Sequence, residues 1–467
     1  MYKALKIVKE AIKCEFFSNF IEIVFMKKIV LLVFLFGFCF PIVAQSGFVF
    51  DKEAKRIRIP FQLINNLIFI PLKVNGTELT FMLDSGVQET ILFSLQEKDS
   101  ISLMNTETIE LKGLGSSDAV AGLRSTGNQL EVKGMVSKNH MIYVILDESF
   151  NLSSKIGIPV NGIIGYPFFK NNLLEIKYAN KTLVFHQDRA RLRRKLEKKF
   201  RSTIISIEDN KPYMQADITV RSRELPVKLL IDTGHSDALW LFENESADIK
   251  VPLKNFDDYL GKGFSGDIYG KRAIISNFKI NDFEFENPIA AFPDSTSLKH
   301  VKMVSGRRGS VGGAIFKRFT MLFDYKNGQL FLRKNSDFKN YFDYNKSGVE
   351  IRSGGMQWVA ETIALKIETK ASTYATTYNE NLLNNFKYNF KLKPIYVIDN
   401  VRKGSAAAKV GLLAGDVVSS INGKEVQKYS LTEVNSFLKA EKEKWITIAV
   451  TRNGRSLKFR FQLLNIL

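Results

Sequence analysis

Two stretches decide how this chain folds: TFMLDSGVQETILF at residues 80–93 and VKLLIDTGHSDALWLF at residues 227–242. Each runs apolar into one aspartate, then a hydroxyl residue, then glycine, then apolar again. Phe81, Met82 and Leu83 read as the end of a buried strand with Asp84 at its lip, and Leu229, Leu230 and Ile231 do the same for Asp232. A carboxylate there is partly desolvated, so its charge is costly unless it is hydrogen-bonded. The glycine after it permits a sharp turn, and Ser85 and Thr233 bring hydroxyls for bracing bonds. A single Asp-Ser-Gly is a common turn. Two copies in one chain ask for another explanation.

That explanation is duplication. GIIGYPFFKNNLLEIKYANKTLVFH at residues 162–186 matches GSVGGAIFKRFTMLFDYKNGQLFLR at residues 309–333, pairing Gly165 with Gly312, Phe169 with Phe316 and Tyr178 with Tyr325. The spacing between these partners is 147 positions, and between the two aspartates 148. One domain repeated over about 48–188 and 205–335 accounts for both echoes. Each copy consists of short apolar or alternating runs separated by turn signals such as Asn75-Gly76, the pattern of a mainly β fold. If the copies pack about a pseudo-twofold axis, equivalent residues near it face each other. Asp84 and Asp232 would then share one site and one proton, one activating water and the other donating to a carbonyl oxygen.

Composition permits this. The chain has 467 residues, 45% hydrophobic and 25% charged, enough for two or three cores. Met26-Lys27-Lys28, an apolar run over residues 29–43 and Ala44 together predict a start at Met26 and a secretory signal cleaved after Ala44. Both cysteines, Cys14 and Cys39, fall before that cleavage point, so the exported chain is expected to fold without disulfides in a periplasm or cell envelope. The net charge of +19 invites anionic partners. Its densest run, residues 189–201, spaces Leu192, Leu196 and Phe200 helically and reads as the solvated face of a connector over 189–204, able to touch lipid headgroups. No nucleic-acid motif accompanies it. Histidines 140, 186, 235 and 300 lack metal-ligand spacing, and the Gly-x-Gly-x-x-Gly at residues 261–266 opens no helix, so no metal or cofactor is expected.

The four motifs Asp84-Ser85-Gly86, Gly162-Ile163-Ile164-Gly165, Asp232-Thr233-Gly234 and Ser310-Val311-Gly312 resemble those of the pepsin and retropepsin type of aspartic protease over about residues 50–335. The resemblance implies a bilobal acid-protease fold from an internal duplication and polypeptide substrates. It also implies catalytic Asp84 and Asp232, supported by Ser85, Gly86, Thr233 and Gly234. Glycine-rich flap candidates are Gly113, Leu114 and Gly115 in one copy and Gly263 and Phe264 in the other. The residue after each motif departs from the family's usual Ala or Ser, being Val87 and His235. A cationic His235 would favour the ionised form of Asp232; a neutral one would merely pack beside the loop.

After a polar boundary near residue 337 the grammar changes. Ser405 is placed to cap a short helix that Gly411 ends, Asn422-Gly423 signals a hairpin, and residues 431–438 read as an amphipathic helix. Gly404-Ser405-Ala406-Ala407, Gly411-Leu412, Gly415-Asp416 and Ile421-Asn422-Gly423 resemble a PDZ domain, an α+β module, over about 380–467, with a linker and first strand over 336–379. The resemblance implies an extended peptide or C-terminal segment as partner, in a groove lined by Leu383, Asn385, Phe386, Val434 and Leu438. Two functions follow: an exported, monomeric aspartic endopeptidase with a docking or regulatory PDZ module, or a catalytically silent peptide-binding protein on the same scaffold.

Overall fold

The computed structural model describes residues 47–467 apart from 52–53, 94–100, 112–119, 148–149, 188–189, 244–248, 264–265, 300, 365–385 and 440–443. The expected leader therefore lies outside the described residues. What is described is mostly β, as the alternating pattern required.

In the first lobe, strands Leu67–Val74 and Thr77–Leu83 turn about Asn75-Gly76, both at positive φ, the geometry a two-residue hairpin needs to match strand twist. Thr77–Leu83 then pairs in parallel with Gly162–Ile164, Phe81 beside Gly162 and Leu83 beside Ile164. The second lobe repeats this: Arg223–Ile231 runs parallel to Arg307–Val311, Ile231 beside Val311. In each lobe, then, the apolar-apolar-glycine segment threads beside the strand that ends in aspartate. The amides of Asp84 and Asp232 donate to Ile164 O and Val311 O, both at 3.0 Å. A Cβ on Gly165 would collide with the Val87 carbonyl, which is why this position in the threading segment tolerates no side chain.

The lobes join through a shared antiparallel sheet. Leu173–Lys177 of the first pairs with Phe319–Asp324 of the second, from Leu174 opposite Phe323 to Lys177 opposite Thr320. Thr182–His186 with Arg56–Pro60 extends one side, and Gln329–Lys334 with Arg201–Glu208 extends the other. Leu174, Ile176, Met321 and Phe323 are fully buried in it and belong to one core that runs through both lobes. The basic helix Ala190–Lys199 lays Leu196, with Phe200 after it, against Leu173, Leu322 and Phe331 of this sheet and turns Lys198 and Lys199 to solvent. Arg194, Lys198 and Lys199 lie on the outer face of this packed helix.

Strands Val349–Ala364, Phe386–Val401, Val417–Ile421, Trp445–Arg452 and Arg455–Gln462 form a separate sheet over its own core, including Ile398, Val418, Ile421 and Ile448. Ser405 caps the helix Ala406–Lys409 by accepting from Ala408 N, and Gly411 follows at φ 90°. Ser430 and Glu433 close a full capping box on the helix Leu431–Leu438. This sheet begins at Val349, well before residue 380. A bulge between Ser353 and Met356, at Gly354-Gly355, interrupts the register of its first strand.

Candidate active site

The two aspartate loops meet across the lobe interface. Ser85 Oγ donates to Ile231 O at 2.6 Å, and Thr233 Oγ1 donates to Leu83 O at 2.9 Å. Each hydroxyl also accepts the opposite backbone amide: Ser85 N to Thr233 Oγ1 and Thr233 N to Ser85 Oγ, both at 3.0 Å. Four reciprocal bonds between residues with no solvent exposure fix the loops relative to one another. Two wider bonds tie each aspartate loop to a turn of the other lobe, Asn66 Nδ2 donating to Ser236 O at 2.9 Å and Gln88 Nε2 donating to Asp209 O.

The carboxylates sit above this brace. Gly86 N donates to Asp84 Oδ1 at 2.7 Å and Gly234 N to Asp232 Oδ1 at 3.1 Å. Each glycine also backs onto the opposite acid: a Cβ on Gly86 would lie 2.9 Å from Asp232 Cγ, and one on Gly234 would overlap the Asp84 carboxylate. The structure thus brings together Asp84, Asp232, Ser85, Gly86, Thr233 and Gly234. Burial holds the Asp84 carboxyl well above the usual carboxylate range, and the neighbouring Asp232 charge and hydrogen bond push the same way; the Gly86 amide and Lys211 oppose them. A carboxyl raised in this way can hold, beside a second acid, a proton that an isolated aspartate would lose.

His235 is neutral. Burial pushes its pKa down against the pull of Asp232 and Asp237, its ring nitrogens have no hydrogen-bond partner, and the ring stands edge-on to Trp240 at 5.0 Å. Of the two roles open to it in the sequence, packing beside the loop is the one the surroundings favour. Val87 packs against the cluster of Met82, Phe93 and Ile163, and its carbonyl takes the Tyr166 amide at 3.0 Å.

Of the flap candidates, only Gly263 is among the described residues. Gly113, Leu114 and Gly115 lie outside the described residues, between the paired strands Thr106–Leu111 and Val120–Val132. Gly263 faces Gly266 at the end of the hairpin Asn255–Gly263/Gly266–Ile274; Phe264 lies outside the described residues. Of the expected groove residues, Phe386, Val434 and Leu438 are among the described ones. Leu383 and Asn385 are not among the described residues, Phe386 stands opposite Ala364 at the far end of its hairpin, and Val434 and Leu438 are fully buried in the core. The helix Leu431–Leu438 packs on the strand Val349–Ala364, which the loop of residues 344–348 precedes, with Gly348 at φ 75°.

Sequence reasoning also missed Lys211. It stands at a strand start where burial lowers its pKa and Asp84, Asp232 and Glu89 raise it. Aligning Asn65-Asn66-Leu67 with Asp209-Asn210-Lys211 was the available signal, a cation where the other repeat is apolar.

Comparison with known proteins agrees with this construction. Residues 70–168, which contain Asp84 and the threading segment of the first lobe, match the family model described as Aspartyl protease. Residues 397–452 match the model described as PDZ domain. No curated protein matches the chain. The chain carries an aspartyl protease domain and, C-terminal to it, a PDZ domain.

Proposed function

We propose that the protein is an exported endopeptidase in which Asp84 and Asp232 together activate a water molecule against the peptide carbonyl. The observation that carries this reading is the reciprocal approach of Gly86 to Asp232 and Gly234 to Asp84, which makes two acids from separate repeats neighbours. Asp84, whose pKa is raised, keeps the shared proton and donates it to the carbonyl oxygen. Asp232 takes the proton of the attacking water. The tetrahedral intermediate then collapses as the amine leaves with a proton, restoring the pair. No covalent enzyme intermediate is needed.

Export is read from the basic-apolar-small pattern over residues 26–44, with removal after Ala44. The substrate is an extended polypeptide lying between the aspartate loops and the two hairpin flaps. The PDZ domain docks a second peptide or tunes access to the first.

The test is cleavage of a quenched fluorescent casein by wild type, Asp84→Asn and Asp232→Asn. Each substitution is expected to lower kcat by roughly 10²–10⁴-fold, the range of a lost acid or base. Equal cleavage by all three would remove the dyad from the chemistry. Binding without cleavage by wild type would instead identify a silent peptide-binding protein.

A further inference from the structure

Behind the Asp232 loop runs a largely shielded ladder of charge that ends in the PDZ domain. Asp237, five residues after Asp232, accepts from Trp240 Nε1 at 2.9 Å and from Arg272 Nη1 at 2.7 Å. Arg272 Nε donates to Asp258 Oδ2 at 2.6 Å. The other oxygen of Asp258 lies 3.6 Å from Arg402 Nη1, on the loop that follows the PDZ strand Phe386–Val401. Arg402 is buried, lies over the Phe256 ring at 4.2 Å, and donates to Asn345 O at 3.2 Å. Asp258 and Arg272 lie on opposite strands of the flap hairpin, so one guanidinium ties the flap's base to the catalytic loop.

A second contact holds the PDZ domain from the other lobe. Lys155 Nζ lies 3.1 Å from Asp399 Oδ2 in the PDZ sheet and 4.3 Å from the Tyr259 ring centre, and donates to the Tyr259 hydroxyl. Tyr259 is the residue after Asp258 on the flap strand. Beside it, Gly157 at φ 83° presses on Leu431, the first residue of the PDZ helix; a Cβ at 157 would come within 2.7 Å of Leu431 Cβ. Both lobes and the PDZ domain therefore converge on the base of one hairpin.

We propose that Arg272 is a positioning residue for the Asp232 loop and that the docked PDZ domain holds it in place, so that loosening the PDZ domain from the lobes loosens the loop. Arginine is suited to this because its planar fork reaches two carboxylates at once, which a lysine ammonium on a flexible stem cannot do in the same geometry. With Asp258 pulled toward Arg402 and Tyr259 toward Lys155, the hairpin presents Arg272 to Asp237 in one orientation. The naming of the loop as catalytic rests on the dyad reading above; the mechanical coupling does not.

The loop reports its own integrity. Gly312 N, Gly313 N and Ala314 N donate to the carbonyls of Ala238, His235 and Asp237 at 3.0, 2.8 and 3.3 Å. Hydrogen–deuterium exchange at these three amides is measured in the full chain for wild type, Arg272→Lys, Lys155→Glu and Lys155→Arg. Lys198→Glu on the exposed basic helix serves as a charge-matched control. Exchange is expected to quicken about tenfold in Arg272→Lys and in the same direction, by less, in Lys155→Glu, while Ile176 in the interlobe sheet keeps its protection. Lys155→Arg and Lys198→Glu should match wild type. On casein, Arg272→Lys should lower kcat with KM little changed.

Unchanged exchange in Arg272→Lys overturns the positioning role, and unchanged exchange in Lys155→Glu overturns the part played by the PDZ domain. Faster exchange at Ile176 as well would mean general destabilisation and overturns both. Because the exchange readout needs no turnover, a wild-type chain that cleaves nothing sinks the dyad reading and leaves this one intact.

Discussion

Lys211 stands in the second lobe where Leu67 stands in the first, each just past a two-residue turn at positive φ, Asp209-Asn210 and Asn65-Asn66. The duplicated halves have thus diverged at a position whose charge reaches both acids. Lys211 lowers the pKa of Asp84 against the larger effects of burial and Asp232. Lys211→Leu, which restores the symmetry, removes that pull. Asp84 then keeps its proton to higher pH, and the alkaline limb of kcat/KM against pH moves upward. A limb that stays in place or moves down in this variant would show that Lys211 does not act on the dyad.

The Ser85–Thr233 brace is the second target. Thr233→Val keeps the shape of the side chain but leaves the buried Ser85 amide without its acceptor and Leu83 O without its donor. An unsatisfied buried pair of this kind costs about 2–3 kcal/mol. The urea midpoint should fall accordingly. Thr233→Ser, which retains the hydroxyl, should lose under half as much. Equal losses would mean that the methyl group's packing matters more than the hydrogen bonds.

The architecture was legible where the repeat spoke twice. Asp84 and Asp232, with Gly165 and Gly312 at a matched spacing, were enough to expect two β lobes with facing acids, because a dyad axis leaves equivalent residues no other place to meet. Asn422-Gly423 and the Ser430 cap were local signals that carry their geometry with them. What stayed hidden depended on long-range packing. A first PDZ strand was expected within residues 336–379, but nothing local showed that the helix Leu431–Leu438 packs on it. Arg272 shows no motif: its partners Asp237 and Asp258 lie 35 and 14 positions away and meet it only through hairpin register.

His140 gives the fold an acid limit. It is 1% exposed, with Thr90 Oγ1 at 2.7 Å from Nε2 and Ser137 Oγ at 2.7 Å from Nδ1. Burial, with a smaller push from Lys170, lowers its pKa to about 4 from 6.5. A base whose pKa is depressed by folding contributes full stability above the unfolded value and loses it as pH falls toward the folded one. The loss between those limits is about 3 kcal/mol. Urea unfolding should show that decline from pH 6.5 to 4, and His140→Gln should flatten it. An equally steep decline in the variant would assign the acid sensitivity to other groups.

Glu350 works in the opposite sense at the junction with the PDZ domain. Burial first, then the charges of Asp258 and Asp399, raise its pKa to about 7, while Lys155 and Arg272 resist. A carboxyl raised by folding is most comfortable protonated, so its contribution is present below the unfolded value of 4.5 and is lost as pH rises through 7. At pH 8 the ionised group, only partly shielded from solvent, costs roughly 1–2 kcal/mol. Glu350→Gln removes the charge and keeps the shape. It should therefore raise the unfolding midpoint at pH 8 and leave it unchanged at pH 4, and the gain should shrink in an Arg402→Met background where docking is already weakened. A gain of the same size at both pH values would show that the side chain's packing, and not its ionisation, sets the strength of the junction.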